Sequence, residues 1–329
     1  MHKLLLPLFI CLLACQPKQE GLNTEPLKII FDSDFGPDYD DVGALTILHA
    51  MADSGKVEIL ATMTSNRYKL TGPGMDVLNT YYGRPDLPMG APKGRGVEIA
   101  DWQHWLDSLV AKYPCDVQST GQLPDAVTEY RRILVQQPDT SVTIVSVGFL
   151  TNLAGLLQSA PDSLSPLPGR DLVKQKVKKL VSMAGAFPEG SEYNVHTDST
   201  ASVTVFENWP TPVLLSGVEI GSDIRTGLRL IDSDLQDHPA KDVYRISIPM
   251  AKEDHLGRMS WDQTAVLIAV YSPGKFFETM RGRMVVKENG SNSWIDDPKG
   301  NHYYMIQKMP VDEIARFIED RMMHENASN

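Results

Sequence analysis

The chain has 329 residues, 42% of them hydrophobic, and a formal net charge of −11. That length carries one large domain with a substantial core, and the acidic balance argues against nucleic acid as a partner, because a protein that follows a phosphate backbone presents basic surface. Of the three cysteines, Cys11 and Cys15 fall in or beside an N-terminal leader, which leaves Cys115 alone and no intrachain disulfide in the mature chain.

The N-terminus reads as that leader. Lys3 supplies a short positive region, and Leu4 to Ala14 is an apolar run of signal-peptide length, too short to cross a membrane as a helix. It ends in Leu12-Leu13-Ala14-Cys15, which resembles the bacterial lipobox, where cleavage before the cysteine is followed by its acylation. The alternative is an ordinary secretory signal with a chance cysteine. On the lipobox reading, residues 1–14 are signal peptide, Cys15 carries lipid, 15–26 form a polar tether and 27–329 form one domain. The protein then sits in the bacterial cell envelope, at the periplasmic face or the outer membrane, anchored to a membrane rather than spanning it.

The mature chain opens on its most informative stretch, Leu27 to Leu45. Leu27, Ile29, Ile30 and Phe31 make an apolar run of the kind found in buried strands. Five aspartates follow within ten positions, Asp32, Asp34, Asp38, Asp40 and Asp41, with Gly36-Pro37 marking a turn among them. Val42, Leu45, Ile47, Leu48 and Met51 then keep a helical period. The acids therefore fall between a strand tip and a helix start, the edge at which open α/β sheets bind ligands. So many carboxylates repel one another unless a cation offsets them or some stay protonated. Oxygen-only ligands favour calcium or magnesium over zinc. Capping of the helix would explain one or two of these aspartates and not all of them.

Val57–Thr64 reads as a second strand ending at Ser65-Asn66. Pro73–Tyr82 reads as helix, residues 84–99 as a Pro- and Gly-rich loop, and about 99–112 as helix carrying Trp102 and Trp105, whose rings suit the core or the cover of a pocket. Leu123–Gln136 is helical. Val142–Val147 is continuous and β-branched, as in a parallel strand buried on both faces. Gly148 follows, and Leu150-Thr151-Asn152-Leu153 opens another helix. Lys178–Met183 is a strand, followed by Ala184-Gly185-Ala186 and a polar loop with Glu192, Tyr193 and Asn194. A helix over about 199–207 and a strand over Pro212–Ser216 come next. Residues 220–257 read mostly as helix and loop, with 246–250 ambiguous. Ser260–Tyr271 is a helix with Asp262 in its first turn. Arg283–Lys287 and Ser293–Ile295 read as a hairpin around Asn289-Gly290, and Val311–Met323 as a closing helix behind Pro310. Strands alternating with helices give an α/β class: a single domain with a mainly parallel, Rossmann-like sheet flanked by helices, the last hairpin and helix forming an appendage.

The acidic stretch resembles the signature of the nucleoside hydrolases, the inosine-uridine-preferring family of N-ribosyl hydrolases: an aspartate pair, a glycine turn and a double aspartate on a strand tip. Here it stands as Asp32-Ser33-Asp34-Phe35-Gly36-Pro37-Asp38-Tyr39-Asp40-Asp41, its turn two residues longer than in the best-known members. Later segments follow in the family order: Ser65-Asn66, Val147-Gly148 with Leu150-Thr151-Asn152, Met183-Ala184-Gly185-Ala186 with Ser191-Glu192-Tyr193-Asn194, and Trp261-Asp262. The likeness covers roughly Leu27 to Tyr271.

The resemblance implies a calcium ion held by Asp34, Asp41, Asp262 and a backbone carbonyl near Val147, with ribose hydroxyls and a water completing the shell. It implies hydrolysis of the N-glycosidic bond of a ribonucleoside or related furanoside through an oxocarbenium-like sugar, with Asp34 as general base toward a metal-activated water. Asp40, Asn66, Glu192 and Asn194 would hold the ribose, and Met183 and Trp261 would also contact substrate. Taken alone, Glu192 and Asn194 read as a solvated loop, Asn66 as a turn residue and Asp262 as a helix-start acid. Two departures stand out. Trp261 replaces the family's histidine; its ring can stack on a base but cannot protonate one, and His255 or His104 would have to substitute. The asparagine the family carries before Glu192 has no counterpart in the short segment 187–191. The ribose grip is therefore partly kept and the base pocket rewritten, which points toward another furanoside or a modified nucleoside. Two rivals remain. One is a haloacid dehalogenase-like phosphatase using Asp32 and Asp34, magnesium-dependent and phosphate-releasing. The other is a lipid-anchored receptor that binds a nucleoside or sugar without turnover. Either form is compatible with a homo-oligomer.

Overall fold

The computed structural model describes residues 25–271 and 273–326. The leader and the proposed lipid site at Cys15 lie outside the described residues. The described residues form twelve strands: β1 Leu27–Ser33, β2 Val57–Thr64, β3 Met89–Gly90, β4 Val142–Ser146, β5 Val177–Met183, β6 Glu189–Ser191, β7 Val213–Ser216, β8 Arg225–Thr226, β9 Arg258–Met259, β10 Phe277–Val286, β11 Ser291–Asp296 and β12 His302–Gln307. Ten of them form one sheet in the order β3-β2-β1-β4-β5-β7-β12-β10-β11-β6, while β8 and β9 make a separate ribbon. From β3 to β12 the neighbours run parallel; β10, β11 and β6 continue the sheet antiparallel.

The parallel part is covered on both faces, as its continuous apolar strands require. Ile29 and Phe31 point into one core and Ile30 into the other, the alternation of a pleated strand. Helices Asp40–Asp53, Trp261–Tyr271 and Val311–Met322 pack together, as do Ala126–Val135, Thr151–Gln158, Gly169–Lys176 and Ser199–Asn208. No helix among the described residues is long and apolar enough to cross a membrane.

The structure corrects several expectations. The C-terminal hairpin is not an appendage: β12 pairs in parallel with β7, and β10 and β11 extend the central sheet. The last helix packs on Asp40–Asp53 instead of standing apart. The helix expected from residue 99 begins at Trp105, because His104 sits in a left-handed conformation (φ 55°) and Asp101 Oδ2 accepts the Leu106 N–H at 2.9 Å. Trp105 is in the core and Trp102 is exposed. The polar loop before residue 199 contains β6 and a short helix, Tyr193–Thr197. The strand order reverses between β1 and β4, so the ends of these two strands flank the crevice that α/β sheets leave at a switch point.

Candidate active site

At the tip of β1 the chain must turn sharply with four more aspartates still to place. Ser33 Oγ donates to Asp41 Oδ1 at 2.5 Å, and the Phe35 N–H reaches Ser33 Oγ at 3.0 Å and Asp41 Oδ1 at 3.2 Å. Phe35 adopts a positive φ of 38°, uncommon for a bulky residue, and its buried ring meets Trp105 edge-on at 5.7 Å. The end of β4 presses against this turn. A Cβ on Gly148 would lie 2.1 Å from the Asp34 backbone nitrogen, so only glycine lets the two strand ends approach so closely.

A cleft of about 430 Å³, counted to its open mouth, lies at this edge. Asp34, Asp38, Asp40, Glu192 and Asp262 line it with carboxylates, and Met183, Tyr193, Val218 and Trp261 line it with apolar and aromatic groups. That size and mixed lining suit a small molecule of nucleoside dimensions. The acids come from three distant regions: the turn after β1, the short helix after β6, and the first turn of Trp261–Tyr271.

The electrostatics are unbalanced. Burial, then the charges of Asp41 and Asp38, lifts Asp34 well above the ordinary carboxylate range. Burial lifts Asp262 likewise, with Asp40, Asp41, Asp38 and Asp34 adding to it. Asp41 is pushed up to about 6 by burial and Asp38, against the bonds it receives from Ser33 and Phe35. Burial also lifts Asp40, Asp38 adds to this, and Arg258 opposes it.

Arg258 is the residue that sequence reasoning missed. Its Nε and Nη2 donate to Asp40 Oδ1 at 3.2 and 2.9 Å, and it also pairs with Asp38 and, at 3.7 Å, with Asp254. The guanidinium lies 5.0 Å from the Tyr39 ring centroid and 4.9 Å from that of Trp261. Tyr39 in turn donates its hydroxyl to Asp254 Oδ2 at 2.7 Å. A lone arginine in an irregular segment carries no periodic signal. Only the need for a cation beside so many acids pointed to it. Asp40 has a second partner, since its Oδ2 accepts the Asp262 N–H at 3.1 Å and so joins the starts of two helices.

The structure brings Asp34, Asp40, Val147, Met183, Glu192, Asn194, Trp261 and Asp262 to one cleft, with Asp41 bonded to the same turn. Glu192 caps the short helix, accepting from the N–H groups of Gly185, Asn194 and Val195; burial raises it to about 7 against those three bonds. Asn194 Nδ2 donates to the Val147 carbonyl at 3.0 Å and lies 3.5 Å from that of Met183. A carbonyl has two lone pairs, so Val147 retains one. Asn66 lies apart from the cleft lining: its amide bonds the backbone of Tyr68 and Ile99. Trp261 Nε1 is spent on the Val218 carbonyl at 2.7 Å. His104 and His255 are exposed and bonded locally, to Asp107 and the Lys252 carbonyl, and neither lines the cleft. Asp32, the nucleophile a phosphatase would need, is fully buried and occupied by Tyr130 at 2.8 Å and by Asn152.

The residues fit a hard divalent cation. Asp38, Asp40 and Asp41 present carboxylate oxygens within 4.8 Å of one another. Arg258 serves Asp38, Asp40 and Asp254, whereas no cation is recorded against Asp34, Asp41 or Asp262 among the described residues. Buried acids without a counter-charge are costly, and an all-oxygen set answers to calcium or magnesium.

Comparison with known proteins agrees with this geometry. The family model described as inosine-uridine preferring nucleoside hydrolase matches residues 29–313. The chain is 27% identical over 203 residues to the pyrimidine-specific ribonucleoside hydrolase RihA of Citrobacter koseri, covering 59% of this chain and 61% of that one. It is 29% identical over 221 residues to an uncharacterised protein of Schizosaccharomyces pombe, covering 62% and 65%. It thus spans less than two thirds of the length of these curated relatives. Among solved structures it resembles a plant nucleoside hydrolase (TM-score 0.68, 22% identity, 91% of this chain and 99% of that one). An inosine-guanosine nucleoside hydrolase is similar to the same degree (TM-score 0.69, 21% identity, 90% and 99%). At these identities the structural likeness is one of fold, and the match of the family model over most of the length decides the rest: the chain belongs to the inosine-uridine preferring nucleoside hydrolase family.

Proposed function

We propose that the protein is a calcium-dependent hydrolase that cleaves the N-glycosidic bond of a ribonucleoside or related furanoside, releasing free sugar and free base. The observation that carries this reading is the set of three buried carboxylates, Asp34, Asp41 and Asp262, without an ion pair among the described residues, at a switch-point cleft of nucleoside size. These three, with the Val147 carbonyl, would hold calcium. When bound, the ion lowers the pKa of a coordinated water and positions it. Asp34 lines the cleft and would take the proton of the attacking water as its oxygen bonds to the anomeric carbon and the C1′–N bond breaks. Glu192 and Asn194 are locked by backbone bonds and present rigid acceptors and donors to the sugar hydroxyls. Asp40, fixed by Arg258 and the Asp262 N–H, retains lone-pair capacity for a further hydroxyl. Such fixed partners favour a sugar ring flattened toward the oxocarbenium geometry.

The test is a reducing-sugar assay on a form beginning near Glu20, across a panel of ribonucleosides, with and without a calcium chelator. Ribose release that the chelator abolishes supports the reading, and Asp34→Asn should then remove turnover while keeping the fold. Calcium binding without turnover of any riboside would favour a receptor instead. The leader reading is a second part of the proposal: Cys15 anchors the domain through lipid in the cell envelope, and Cys15→Ser releases it to the soluble fraction. A Cys15→Ser protein that stays with membranes would refute the anchor.

A further inference from the structure

We infer that the cleft is built for ribosides whose leaving group carries a positive charge, such as a pyridinium or a 7-alkylated purine. This rests on the hydrolase reading above and names the substrate class of the same site.

The argument starts from the leaving group. When the glycosidic bond breaks, its electron pair goes to the ring nitrogen of the base. A neutral nucleobase leaves as an anion unless a proton arrives with the pair. A cationic base leaves neutral, and no proton is needed. The bond from water oxygen to C1′ forms, the C1′–N bond breaks, and the water proton passes to Asp34. Sugar, neutral heterocycle and one proton account for every atom and charge.

With the sugar held by Asp34, Glu192 and Asn194 as proposed above, the base falls among the remaining lining, toward Trp261, Tyr193 and Asp38, where side-chain proton donors are few. Trp261 Nε1–H is committed to the Val218 carbonyl at 2.7 Å and lies 3.2 Å from Ser222 Oγ. Asp38 also lines the cleft, and its carboxylate is ion-paired to Arg258. Tyr193 is the hydroxyl-bearing side chain on the lining, half exposed, with its ring toward Phe149. The charge balance points the same way. Asp34, Asp38, Asp40, Glu192 and Asp262 face the cleft with Asp41 beside them, against Arg258, which is itself shared among Asp38, Asp40 and Asp254. A bound divalent ion still leaves the balance negative. Such a walled acidic cleft concentrates cationic substrates, and the aromatic rings of Trp261 and Tyr193 suit a flat cation.

The experiment compares kcat/KM on calcium-loaded protein for matched pairs: 7-methylguanosine against guanosine, and a ribosylpyridinium against uridine, each corrected for its uncatalysed rate. The cationic member should lead by on the order of tenfold or more at low salt, and raising ionic strength should erode that lead while leaving the neutral member flat. Asp38→Asn should cut the cationic-to-neutral ratio by about tenfold. The salt series on the unaltered chain keeps the proposal testable if Asp38→Asn does not fold. Equal or better hydrolysis of the neutral members overturns this inference alone, as does a salt-independent ratio. Tyr193→Phe abolishing hydrolysis of neutral nucleosides only would expose a proton donor and overturn it as well. No ribose from either class overturns the hydrolase reading together with it.

Discussion

Replacing Arg258 by methionine should be among the most damaging single changes in the protein. The side chain is 7% exposed, and its partners Asp40 and Asp254 are 2% and 0% exposed. Methionine keeps an apolar stem and removes the charge. It leaves two buried carboxylates without their counter-ion, and removing one member of a buried pair costs about 3–5 kcal/mol. The lost stacking on Tyr39 and Trp261 adds to this at roughly 0.5–1 kcal/mol per ring. At about 2–4 °C per kcal/mol, the midpoint should fall by roughly 8–28 °C. The assay is urea and thermal unfolding followed by tryptophan fluorescence, in chelator, so that metal binding does not enter. Arg258→Met with Asp254→Asn should recover part of the loss, because one orphaned charge is then gone. A single variant within about 1 kcal/mol of the parent would refute the reasoning, since it would mean that Asp40 and Asp254 do not rely on the guanidinium.

Calcium at about 100 times its dissociation constant should stabilise the protein by about 2.7 kcal/mol, and Asp262→Asn should remove most of that gain; equal shifts in parent and variant, by calorimetry or melting, would take Asp262 out of the metal site. Burial lowers His49 to about 3, with Arg84 adding to it, and burial lowers His302 to about 4. Both lie below the ordinary histidine value of about 6.5, so between these limits the unfolded chain binds protons that the native one refuses. The stability these two groups contribute is therefore full above about pH 6.5 and falls on acidification by up to ~1.4 kcal/mol per pH unit for each, against the raised carboxyls of Glu192 and Asp41, which take up protons in the native state over the same range; the parent's stability relative to a His302→Gln variant should fall from pH 7 to 5, and a difference independent of pH would contradict this. Gly148→Ala forces a methyl group onto the Asp34 backbone. It should cost about 1–3 kcal/mol or more and weaken calcium binding, and an unchanged melting temperature would show that the two strand ends can part.

The parts that sequence could carry were those with a period. Short apolar runs gave β1, β2, β4 and β5, β4 alone being continuously β-branched, and the change from strand to helix period around Asp34 marked the sheet edge where the cleft lies. Contacts made by single residues were not visible. Arg258 sits in no repeating pattern and acts across 218 positions on Asp40. The strand at His302–Gln307 is short and carries a histidine, two tyrosines and a glutamine, so its place beside β7 follows from tertiary pairing and not from its own composition. Asn66 shows the opposite limit. Its position after a strand fitted a sugar contact as well as a turn, and in the structure its amide is used by backbone groups.

The separation of Asp40 from Arg258 has a consequence for how the chain is made. Synthesis proceeds at about 5–20 residues per second, so the acidic turn emerges roughly 10–40 s before the arginine that balances it. During that interval β1 can pair with β2 and β4, but Asp40 and its neighbours must remain hydrated, and the first helix cannot seat its start. The nascent chain therefore waits with an open, charged edge, which closes only when residues 258–262 arrive. A chain stalled before that point would hold at most the parallel strands β3-β2-β1-β4-β5-β7 and lack both the antiparallel extension and the cleft.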